Sequence, residues 1–102
     1  MEIKLFICKD LIKNDIGALN QLETYKNQLI AFYNGLTVQE GLKGYYKMSD
    51  SSIAFDIVES WTILGENIDT TLAKNISKQI KSLTYQESQL ITFNTGVYPL
   101  FL

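Results

Sequence analysis

Ile3, Leu5 and Ile7 alternate with Lys4, Phe6 and Cys8. A period of two predicts a strand over residues 3–8, with the first set facing a core and the second on a partly exposed face. The period then changes. Leu19, Leu22, Tyr25 (or Lys26), Leu29, Phe32 and Tyr33 recur at spacings of three and four. They predict a helix over 15–34, capped by Asn14 or Asp15, with one apolar stripe packed on a sheet. Asn34-Gly35 ends it, with Gly in the left-handed conformation.

Beyond Gly41 and Gly44, residues 45–48 read as a second strand. Ser49-Asp50-Ser51-Ser52 is a turn, since each side chain can bond its own backbone. Ile53, Phe55 and Ile57 alternate with Ala54, Asp56 and Val58, giving a third strand over 53–58 and an antiparallel hairpin. Trp61-Thr62-Ile63-Leu64 fits either a continuation of that strand or a segment folded over the core edge. A second helix runs over 67–83 from a cap at Asn67 or Asp69. Leu72, Ile76, Ile80 (or Gln79) and Leu83 form its stripe. Residues 88–93 read as a strand, Asn94-Thr95-Gly96 as a turn and 97–102 as a last strand. Pro99 cannot donate to a ladder and assigns that strand to a sheet edge. Leu22, Leu29, Phe55 and Ile76 are the expected core.

The order is β-α-β-β-α-β with an extra C-terminal strand. Two helices with one apolar stripe each are most simply buried on one face of an antiparallel sheet. The expectation is therefore an α+β, ferredoxin-like (split β-α-β) domain spanning residues 1–102. A chain of 102 residues that is 46% hydrophobic can bury a working core without disulfides or metal.

Composition narrows the function. The chain has no His and one Cys, Cys8. A zinc, haem or copper site built on imidazole or paired thiolates lacks its ligands, and Ser-His-Asp or Cys-His nucleophiles lack their base. No cofactor signature, phosphate cradle or oxyanion hole accompanies the carboxylates, so the expectation is a protein that is not an enzyme and has no cofactor. All nine basic residues are Lys, and the net charge is −2. Without the Arg fork, sequence-specific recognition of duplex DNA is not expected. No apolar stretch reaches the ~20 residues of a membrane span, and the N-terminus does not read as a secretory signal. The expectation is a cytoplasmic protein with no membrane contact.

Two charged surfaces and a set of aromatic residues remain. Asp50, Asp56, Glu59, Glu66 and Asp69 cluster around the hairpin and the loop after it, with Tyr45, Tyr46 and Trp61 as nearby anchors. Together they form the expected partner-binding face, able to offer carboxylates to a channel that normally holds phosphates. The alternative is a basic face on the second helix, Lys74, Lys78 and Lys81, offered to an acidic partner. The outer sheet face, Trp61 and the apolar Leu100-Phe101-Leu102 end suggest a homodimer. Residues 5–11 and Ala54-Phe55 also echo the strand signatures of RNA-recognition domains. Ser51, Ser52, Ile53 and Val58 depart from that pattern. A single-stranded nucleic-acid binder using the open sheet face is the alternative function.

Gly44-Tyr45-Tyr46-Lys47, Ser52-Ile53-Ala54-Phe55 and Tyr85-Gln86-Glu87-Ser88 stand in an order that resembles small accessory proteins of bacteriophages and mobile elements. The resemblance implies a single-domain accessory protein, in a class where inhibitors of host defence systems such as CRISPR are common. It brings no catalytic residues. A protein-binding inhibitor of a nucleic-acid-handling host complex is the function it implies.

Overall fold

The computed structural model describes residues 2–65, 69–86, 90–93 and 100–101. The elements are β1 (Glu2–Cys8), α1 (Ile16–Tyr33), β2 (Thr37–Lys47), β3 (Ile53–Leu64), α2 (Thr70–Thr84), β4 (Leu90–Phe93) and β5 (Leu100–Phe101). The strands make one sheet in the order β2-β3-β1-β4-β5, antiparallel throughout. The class is α+β, and β5 lies at a sheet edge. Pro99, the Asn94-Thr95-Gly96 turn, Ser88 and Glu66 fall outside the described residues.

The alternation in β1 does what the sequence pattern predicts. Ile3, Leu5 and Ile7 are buried, while Lys4, Phe6 and Cys8 are half-buried on the opposite face. Register carries the same face into β3, where Ile3 opposes Ile63, Leu5 opposes Trp61 and Ile7 opposes Glu59. Ala18, Leu22 and Leu29 of α1 and Ala73, Ile76 and Ile80 of α2 close on this surface in a single core. Both helices therefore cover one face of the sheet.

Each helix begins at an aspartate. Asp15 accepts from the Ala18 amide at 3.0 Å and Asp69 from the Leu72 amide at 2.8 Å, so each satisfies a donor the first turn would leave unmade. Asp15→Ala and Asp69→Ala should each lower stability by ~1 kcal/mol, read as a shift of the urea midpoint at constant slope. An unchanged midpoint would remove that cap. At the far end of α1, Asn34 takes the left-handed conformation (φ 63°), not Gly35. Asn tolerates this region better than most residues with a side chain.

The strand boundaries and part of the core are corrected, and one open alternative is settled. The second strand is much longer than 45–48, because it passes through both glycines. Between Gln39 and Leu42 the pairing with β3 shifts, and Gly41 sits there at φ 72°. A bulge with glycine in the left-handed region lets the strand absorb an extra residue and continue. Trp61-Thr62-Ile63-Leu64 continues β3 and does not fold over the edge.

Phe55, expected in the core, is 51% exposed. The reason is length. β1 ends at Cys8 opposite Val58, so residues 53–57 of β3 run on with β2 alone as a neighbour. Phe32 on α1 is likewise exposed, with its ring edge-on to Tyr33 at 4.9 Å. Leu22, Leu29 and Ile76 are buried as expected.

Candidate functional site

The free end of the β2–β3 hairpin projects about 16 Å past the rest of the sheet, at ~3.3 Å per residue. It is anchored by the long shared ladder and by the bulge at Gly41. At its tip Met48 N–H donates to the Ser52 carbonyl at 2.8 Å, and Ser51 N–H to the Met48 carbonyl at 3.0 Å. Asp50 accepts from the Ser52 amide at 2.9 Å and from its hydroxyl at 2.6 Å. Those bonds hold the Asp50 carboxyl below the usual carboxylate range.

Cross-strand pairing sorts the arm into two faces. Lys47 opposes Ile53, Tyr45 opposes Phe55 and Lys43 opposes Ile57. Counting in twos from Trp61 puts these residues on the face that carries the helices elsewhere in the sheet. Helices do not reach them. Tyr45 is 65% exposed, Ile53 67% and Ile57 46%. The Tyr45 and Phe55 rings lie 5.7 Å apart at 45°, and the Lys43 ammonium stands 5.1 Å from the Phe55 ring centre. The contact chemistry offered is aromatic, aliphatic and cationic.

Tyr46, Asp56, Leu42 and Val58 belong to the opposite face, where with Phe6 and Cys8 they line a cavity of about 480 Å³. The ligand atoms of Cys8, Asp10 and Asp56 lie within 4.8 Å of one another there. Burial pushes the Cys8 thiol up, and the Asp10 and Asp56 carboxylates add to the effect. The group is therefore a thiol held protonated beside two acids, which makes it a poor nucleophile.

The acidic face expected from the sequence does not assemble. Glu59 is 8% exposed; it pairs with Lys9 at 2.8 Å and accepts from the Trp61 indole N–H at 3.2 Å. Trp61 is 1% exposed and cannot anchor a partner. Asp69 caps α2 and Asp50 closes the turn, both still exposed, and Asp56 lines the cavity on the opposite sheet face. Glu66 lies outside the described residues. Lys74 and Lys78 are exposed on α2, and Lys81 is half-buried in its last turn, where a cation suits the helix dipole.

Between the helices, Tyr25 is half-buried. Desolvation first, then the neighbouring Tyr33, pushes its phenol up to about 12. An unfolded tyrosine ionises near pH ~10 and gains a charge the native site resists. Stability is therefore full below that pH and falls as pH rises from about 10 to 12. Tyr25→Phe should flatten that fall, followed by far-UV circular dichroism. An identical alkaline profile in the variant would exclude Tyr25 as its source.

Phe55, Ile53, Ile57, Lys43 and Lys47 are the site residues that sequence reasoning missed. The signal available was the length of the third strand, had 61–64 been joined to 53–58. Compared with family models, curated proteins and solved structures, the chain gives no match.

Proposed function

We propose that this chain is a non-enzymatic protein-binding module whose contact element is the projecting β2–β3 arm. The observation that carries the reading is the exposed strip of Tyr45, Phe55, Ile53 and Ile57 on an element that helps cover no core. Aromatic side chains held rigid on a strand supply large contact area at small entropic cost. The sequence resemblance extends the reading to an inhibitor carried by a phage or mobile element, acting in the host cytoplasm on a CRISPR-type complex. The strand order supports a ferredoxin-like, split β-α-β reading of the domain with an extra C-terminal strand.

Single-stranded nucleic acid on the sheet face opposite the helices is the competing function. Asp56 and the neighbouring Asp10 weigh against phosphates on that side. Affinity capture from a bacterial lysate, with and without nuclease, separates the two. The expected result is a protein captured in both arms and lost when Phe55 is replaced by Ser. Loss of all capture on nuclease treatment would support the nucleic-acid reading instead.

A further inference from the structure

We infer that the helix-side face of the arm docks an acidic protein segment that also carries apolar side chains. The inference rests on the protein-binding reading above and adds the partner's chemistry. The three cross-strand pairs that make this face contain two isoleucines, two aromatics and two lysines, and no carboxylate. The next residue inward on β3, Glu59, is buried and paired with Lys9. Asp56 opposes Gly44 on the other face. In a chain of net charge −2, this strip carries two cations and no anion, while beside its inner end, around Ile57, Asp10 and Glu40 stand with Lys9 and Lys13. A basic partner would meet like charge, whereas an acidic one gains attraction at both ends of the strip.

The Lys43 ammonium stands over the Phe55 ring. A carboxylate that reaches Lys43 is thereby brought beside the apolar strip, so a partner needs both kinds of group close together in its chain. The open edge of β2 is the other route for a peptide, by strand addition. The bulge at Gly41 twists that edge, and lysines on an edge strand oppose pairing with another strand. Binding therefore falls on the face. Ile53 and Ile57 fit aliphatic side chains better than stacked bases, and two lysines neutralise few phosphates.

The test uses the full chain and synthetic probes followed by fluorescence anisotropy. One labelled peptide is built from Glu, Leu, Phe and Ser. A second replaces every Glu by Lys, and a third replaces every Leu and Phe by Ser. Oligothymidine is the fourth probe. The first peptide should bind at least roughly tenfold more tightly than the others, with affinity falling as salt rises. The double substitution K43E/K47E should weaken it by a similar factor, as should Phe55→Ser, with thermal midpoints close to that of the parent.

Equal binding of the Lys peptide, tighter binding of oligothymidine, no binding of any probe, or indifference to K43E/K47E would each overturn the inference. So would a dimer in sedimentation that Phe55→Ser dissolves, since a second copy would then occupy the face. Lysate capture keeps the two proposals apart. If K43E/K47E retains a captured protein that Phe55→Ser loses, the acidic-partner inference fails and the binding-module reading stands. If Phe55→Ser retains it, the reading itself fails.

Discussion

Replacing Trp61 by Ala should lower stability by ~3–5 kcal/mol, the largest loss expected from any single truncation in this chain. Trp61 is buried at the centre of the sheet, opposite Leu5 of β1 and Val38 of β2. Its removal opens a cavity between the sheet and the helices that flanking side chains can fill only in part. It also strips a donor from Glu59, whose carboxylate is almost fully buried. Lys9 would remain as its partner, but that ammonium is partly in water, so its compensation is limited.

Trp61→Phe separates the two effects. It keeps most of the volume and loses the hydrogen bond to a charged acceptor, about 1.5–3 kcal/mol. The chain has one Trp, so fluorescence is lost with it, and the urea midpoint is read by far-UV circular dichroism. Equal midpoints for parent and Trp61→Ala would mean the indole is not packed as described.

Glu59 and Trp61 also show what the sequence could not disclose. A glutamate between Val58 and Ser60 reads as a surface charge, and a Trp before a break reads as an anchor. Strand parity decides both. Once residues 53–64 are one continuous strand paired with β1, odd positions near Trp61 must face the helices, and Glu59 goes inward with them. That parity depends on register, which local pattern does not fix. The helices were more legible because their period and caps are local. Asp15 and Asp69 start them within a residue or two of the predicted points. The β2 strand was hidden by Gly41 and Gly44, which mark a turn more often than a bulge in the middle of a strand.

The same parity moves the candidate site. Phe55 alternates in step with Ile53 and Ile57 as a core residue would, and it does point to the face that carries the helices. Its exposure follows from the end of β1 at Cys8, a boundary set by a different part of the chain. Alternation reports direction, while burial depends on what stands in that direction. Four of the five acidic residues read as one contact surface are instead distributed among a turn, a helix cap, a buried pair and the opposite sheet face.

Leu29→Ala and Phe55→Ala should part sharply, although both residues carry the pattern of a core position. Leu29 is buried between α1 and the layer below it, and its truncation should cost ~2–5 kcal/mol through lost burial and a residual cavity. Phe55 already spends half its surface in water. Its ring lies near the Tyr45 ring and the Lys43 ammonium, which stay solvated after truncation. The loss there should stay within about 1 kcal/mol, the scale of one aromatic pair. Chemical denaturation of the two variants side by side measures the difference. A Phe55→Ala loss equal to that of Leu29→Ala would place Phe55 against something that covers the arm. A negligible loss at Leu29 would remove α1 from the core. With the expected split, loss of partner capture in Phe55→Ala reports on the contact surface alone, because the fold beneath it is unchanged.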